Sequence, residues 1–208
     1  MRAYKLRITL LDTHIPIWRE IIVPVDITFD ELHVILQYTM GWHNCHLYEF
    51  KIGDIVVTTD EEALDEIRYF KTIEGMKKLA ELRKSRFFVD RTKTLKDVDE
   101  FIEEYFDNNK IIDYIYDFGD DWKHEIDVLE KIENYPHEYP QVLKFKGNCP
   151  PEDCGGTRGY EEFLKIINNK SHASYKENVL WADGQGYENY DIDEINMALE
   201  EAFEGIEE

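Results

Sequence analysis

The chain is poor in the residues that staple, break or positively charge a protein. Of its 208 residues only 3 are cysteine, 6 proline and 11 glycine. Cys45, Cys149 and Cys154 are odd in number and too few for a disulfide framework, which points to a reducing compartment. Little proline and glycine beside 43% apolar and 13% aromatic residues excludes collagen-like and low-complexity chains. Long apolar runs are also missing: none approaches the roughly 18 residues of a membrane helix. The stretch 1–11 alternates polar and apolar residues where a secretory leader has a basic tip and an unbroken apolar run. A cytoplasmic location is therefore expected. Positive charge is in deficit, with 24 Lys and Arg against 45 Asp and Glu and a net charge of -21. That field repels phosphates and anionic headgroups, and no Lys/Arg cluster offsets it, so neither nucleic acid nor a membrane surface is an expected partner.

What is present is enough to fold. A chain of this length buries roughly 70% of its unfolded surface without help from metal or disulfides. Tyr4, Leu6, Ile8 and Leu10 alternate with polar residues, and 17–23 resumes as a β-branched strand after a break at 12–16, predicting a hairpin. Thr28 and Glu31 have capping-box spacing, with Ile27 and Leu32 at the staple positions. Leu32, Ile35, Leu36 and Met40 then make a helical stripe that Gly41 can end. His46, Tyr48, Phe50 and Ile52 share a strand face, and Gly53-Asp54 suits a tight turn into 55–57. Strand, strand, helix, strand, strand is the order of an α+β fold, with a mostly antiparallel or mixed sheet built from hairpins and helices packed on it.

The charged segment 60–84 reads as short helices and loop covering the domain, with no Ser, Gly or Pro linker. A short strand is expected at 87–89, and a helix over 95–106 with Val98, Phe101, Ile102 and Tyr105 inward. In 111–132, Ile112, Tyr114, Tyr116 and Phe118 form one strand face, and Trp122, His124, Ile126 and Val128 another. Both faces fall on one side of a hairpin only if paired positions have an even sum. A Gly119-Asp120-Asp121 loop satisfies this and would oppose Phe118 to Trp122, Tyr116 to His124 and Tyr114 to Ile126. Helices are expected over 159–168 and 191–204, the second with Ile195, Leu199 and Phe203 on its stripe.

Three segments carry groups able to do chemistry. The hairpin tip, Asp117 to His124, crowds three carboxylates, Asp117, Asp120 and Asp121, together with Trp122 and His124; carboxylates beside an imidazole can share a proton or hold a hard cation. Gly-Asp-Asp is equally ordinary turn chemistry, and a histidine on an apolar face is more often a core residue. The second is the Cys149-Pro-Pro-Glu-Asp-Cys-Gly-Gly-Thr-Arg-Gly run, where Glu152, Asp153 and Arg158 flank a glycine-rich entry to a helix. Its cysteines are too widely spaced for a usual zinc pair and lack two further ligands, so no metal ligand set and no cofactor are assigned. The third is Gly41-Trp42-His43-Asn44-Cys45-His46, whose histidines are read as packed or exposed, with His46 facing inward.

These residues resemble a known family. Trp18-Arg19, Leu32-His33, "MGW" at 40–42, "HLYEF" at 46–50, "YDFGDDWKHEI" at 116–126 and "CPPEDCGGTRGY" at 149–160 look like the plasmid pRiA4b Orf-three-like family, with 60–84 outside the matching motifs. The resemblance implies one compact α+β domain of prokaryotic cytoplasmic type, also met as a passenger of mobile elements, and supplies no reaction. The usual Trp-Gly turn and Asp-Pro step near the C-terminus are replaced by Trp181-Ala182 and by Tyr190-Asp191 without proline.

The expected site is thus a pocket formed by His46, Asp120, Asp121, Trp122, His124, Glu152, Asp153 and Arg158. Its first reading is a non-catalytic binding or adaptor domain for a protein or small-molecule ligand. The alternative is a hydrolase in which Asp120, Asp121 and Glu152 or Asp153 hold a divalent cation and His124 acts as base. His124 is expected within a hydrogen bond or one water of the 149–159 loop.

Overall fold

The computed structural model describes residues 1–187 and 190–204. Among them, β1 (Ala3–Leu10) and β2 (Ile17–Pro24) form the expected hairpin, pairing Leu6 with Ile21 and Ile8 with Arg19. Next comes α1 (Phe29–Met40), whose capping box is complete: Thr28 accepts from the Glu31 N–H, and the Glu31 carboxylate accepts from the Thr28 N–H at 2.7 Å. Gly41 ends α1 in the left-handed region at φ 88°, which spares a side chain the steric cost there. β3 (Tyr48–Ile52) and β4 (Ile55–Thr58) make the second hairpin.

The charged segment forms α2 (Glu61–Phe70) and α3 (Ile73–Leu82). Leu64 and Ile67 of α2 are buried with Leu95 in a small cluster at the sheet edge. Two expectations fail in the region that follows. Residues 87–89 are no strand, and Phe87 and Val89 stand exposed. Nor is 95–106 one helix: β5 (Leu95–Asp97) pairs in parallel with β4, and only α4 (Glu103–Phe106) is helical. The segment between them is tied to the start of α1, with the N–H groups of Phe29, Asp30 and Ile102 donating to Glu100, Val98 and Ile27 carbonyls. Those long-range bonds outbid a local helical ladder, and Phe101 is left half exposed.

β6 (Ile111–Tyr116) and β7 (Trp122–Ile132) form the third hairpin. The even-sum rule holds, but the register lies one pair away from the expected one: Tyr116 faces Trp122, Tyr114 faces His124 and Ile112 faces Ile126. The loop runs over 117–121, closed by Asp121 N–H to the Asp117 carbonyl, with both aspartates left-handed at φ 57° and 54°. Phe118 consequently leaves the strand and is half exposed.

Two elements were not anticipated, β8 (Gln141–Lys146) and α6 (Tyr175–Gly184). Glycines let α5 (Gly156–Ile167) start earlier than expected, while α7 (Ile192–Phe203) lies where its stripe placed it. The strand order is β5-β4-β3-β6-β7-β1-β2-β8, antiparallel throughout except for β4 and β5. One main core joins the inner sheet face to α1, α5 and α7. Asn196 of α7 exchanges two hydrogen bonds with the Val142 backbone and so occupies the outer edge of β8.

Candidate functional site: an acidic notch around His46

The site begins with a network that shapes the turn after α1. The Gln37 amide donates to the Tyr114 hydroxyl at 3.1 Å, and that hydroxyl lies 2.8 Å from His33 Nδ1. Tyr114 then donates to Nδ1, which leaves the proton of His33 on Nε2, 2.7 Å from Asn44 Oδ1. Burial lowers the pKa of His33 to about 4, so it stays neutral near pH 7. Asn44 also donates its N–H to Gln37 Oε1 and takes a left-handed φ of 53°. Trp42 is buried against Tyr116 and His124, and its indole N–H donates to the Pro150 carbonyl at 3.0 Å. The turn is thereby joined to the 149–155 loop.

Glu152 is the centre of that junction. It is only 4% exposed, and its Oε1 accepts from the His43 N–H and from the Tyr116 hydroxyl, each at 2.9 Å. Its Oε2 is buried without a hydrogen-bond donor, and so is His46 Nε2, 3.8 Å away. Asp153 Oδ1 lies 3.3 Å from the same nitrogen, and Asp117 Oδ1 lies 3.8 Å from Nδ1 on the other side of the ring. His46 therefore sits between three carboxylates contributed by two segments, the hairpin tip and the 149–155 loop. The notch opens to solvent, since the His46 and Asp153 side chains are 27% and 76% exposed. Clefts of about 150 Å³, reaching Tyr38 and Glu152, and about 340 Å³, reaching Trp42 and Asn44, flank it.

The hairpin tip and the 149–159 loop do meet, as expected, but through a different residue. Asp120 Oδ2 accepts from the Gly155 N–H at 3.0 Å and places a carboxylate at the start of α5, which has no side-chain cap of its own. Gly156 packs so closely on Asp120 that a Cβ would lie 2.7 Å from its carbonyl oxygen. His124 is not a pocket residue. It is 1% exposed, its Nδ1 faces the Tyr114 carbonyl at 3.3 Å, and no bond joins it to the loop. Burial lowers its pKa to about 3, so it is a neutral core histidine. Trp122 is likewise fully buried in the core, Asp121 turns out to pair with Lys123 at 2.6 Å, and Arg158 is exposed. Of the expected residues, the fold brings His46, Glu152 and Asp153 together with Asp120 beside them. It adds Tyr116, and from the carboxylates of the hairpin tip it takes Asp117 rather than Asp121, a choice that depends on the register of the third hairpin.

All three cysteines are free; burial pushes Cys149 well up and Cys154 to about 12, away from the thiolate state that nucleophiles and metal ligands need.

Fold and notch together define an α+β protein with one largely antiparallel sheet and a polar site built by its loops. The chain belongs to the family described as Plasmid pRiA4b ORF-3-like protein, which it matches over residues 2–199, a span that takes in 60–84. It is 29% identical over 199 residues to the uncharacterized protein y4hQ of Sinorhizobium fredii (strain NBRC 101917 / NGR234), covering 95% of this chain and 90% of that one. It also resembles the crystal structure of MM3350, a protein of unknown function from Methanosarcina mazei Go1. That likeness has a TM-score of 0.70 and 26% identity over 93% of this chain and 97% of the other.

Proposed function

We propose that this protein is a binding or adaptor domain that holds a positively charged ligand, from a protein or a small molecule, in the notch around His46 and Glu152. The observation that carries the reading is Glu152: a buried carboxylate with one oxygen holding two hydrogen bonds and the other buried beside His46 without a donor. A buried acceptor left bare costs free energy of about 1–3 kcal/mol, more when charged, and a bound cation recovers it. The net charge of -21 favours the approach of such a ligand and disfavours nucleic acid. A reducing, cytoplasmic setting belongs to the reading, supported by three free thiols, as does the plasmid-borne context in the family's name.

The hydrolase reading has less support. Its intended base, His124, is buried and neutral, and Asp120 and Asp121 are engaged with Gly155 and Lys123. The test is an NMR titration of the full chain with agmatine and with a short Lys/Arg peptide at low salt. Saturable shifts at the Trp42 indole and the His43 amide, weakened in Glu152→Gln, are expected. No shift at millimolar probe, together with turnover of p-nitrophenyl esters that Glu152→Gln abolishes, would replace the binding reading with an enzymatic one.

A further inference from the structure

We propose that His46, Asp117 and Asp153, with the bare Oε2 of Glu152 beside them, hold a divalent first-row transition cation. The proposal deepens the reading of the notch as a cation-taking site and rests on it. Ligand atoms of His46, Asp117 and Asp153 lie within 4.8 Å of one another. Around His46 Nε2, Asp153 Oδ1 stands at 3.3 Å and Glu152 Oε2 at 3.8 Å. Two ligands each about 2.1 Å from one tetrahedral ion are about 3.4 Å apart, so these separations fit a shared ion.

Glu152 provides the independent indication. Its side chain is 5% exposed and anchored through Oε1, which leaves Oε2 aimed at Nε2 with no donor of its own. Nε2 is likewise buried and makes no hydrogen bond, its nearest carboxylate being Asp153 at 3.3 Å. Two unpaired polar atoms facing each other at 3.8 Å are too distant for a hydrogen bond and suitably placed for an ion between them. Asp117 Oδ1 lies 3.8 Å from Nδ1, and a ligand oxygen of Asp117 stands within 4.8 Å of those of His46 and Asp153, so Asp117 belongs to the same cluster.

The donor set selects the class of ion. One imidazole with two or three carboxylates suits zinc, cobalt, manganese or iron, whereas magnesium and calcium prefer oxygen alone. Pro150 and Pro151 stiffen the chain before Glu152, and the exposed Asp153 leaves one side of the ion open to water or a ligand.

The test uses the full chain stripped with EDTA. Titration with Co²⁺, followed by its visible ligand-field bands, and with Zn²⁺ by calorimetry should show one equivalent bound. His46→Ala, Asp117→Asn and Glu152→Gln should each weaken binding at least about 10-fold, and His172→Ala not at all. If His46→Ala does not fold, long-range ¹H–¹⁵N spectra of the unmutated protein give the same readout: Zn²⁺ should move the Nε2 resonance of His46. No stoichiometric binding, binding indifferent to His46 and Glu152, or an unmoved Nε2 overturns the metal site. If agmatine still binds in that case, the metal inference fails while the cationic-ligand reading stands. If the metal binds and agmatine does not, the inference stands and the organic-cation reading falls.

Discussion

At the scale of single residues, environment assigns roles that residue type leaves open. Two histidines beside aromatic residues, His124 and His46, look alike in sequence, yet one is sealed in the core and the other lies among carboxylates. The sealed one should show itself through pH. The pKa of His124 falls from 6.5 to about 3 on folding, so the unfolded chain binds more protons below pH 6.5. Its contribution is therefore full above that pH and is lost progressively as the pH falls toward 3. Relative to His124→Phe, which has no such proton, the native protein should lose about 2 kcal/mol of stability between pH 7 and pH 5 in urea titrations. A gap that stays constant would mean that the imidazole is not buried neutral. Arg19 teaches the same lesson from the opposite charge. Its guanidinium is fully buried, donates to the carbonyls of Trp18, Thr39, Lys146 and Gly147, and stacks 4.2 Å from the Tyr190 ring. The Trp18-Arg19 pair of the family pattern is therefore a device that ties β2, α1 and the end of β8 together.

At the scale of elements, the site depends on how closely two loops approach. Gly156 has φ 67° and abuts the Asp120 carbonyl, whereas Gly53 has φ 58° with nothing within 4 Å of an added Cβ. Gly53→Ala should cost only the conformational strain, roughly 1–2 kcal/mol. Gly156→Ala should lose at least about 2 kcal/mol more by urea denaturation, since backbone must also move. Equal losses would show that the hairpin tip and the loop do not pack together. Elements closed by short-range signals were legible: the capping box and Gly41 bound α1 as spacing predicts, and alternation marked β1, β3 and β6. The segment 95–106 was misread because its backbone bonds go to residues near Ile27, which no local window contains. The third hairpin kept its faces and shifted by one pair, because alternation fixes parity and only the turn fixes register.

At the scale of the whole molecule, the strand order makes the sheet indivisible. β1 and β2 lie on one side, β3 and β4 on the other, and the late hairpin β6-β7 is inserted between β3 and β1. A fragment ending at residue 90 would hold two hairpins without the strands that join them. It should show no cooperative unfolding transition by circular dichroism, and a sharp transition would refute the single-unit fold. What the sequence determined by itself is whatever acts over a few residues or over all of them: the periodicity of the strands, the caps of α1, the α+β class, the net acidity. Tertiary structure alone decided the site. His46 meets Asp117 and Asp153 because a sheet register and two loop closures bring distant segments within 4 Å, and a pairing set by contacts so remote in the chain leaves no spacing in the sequence to read.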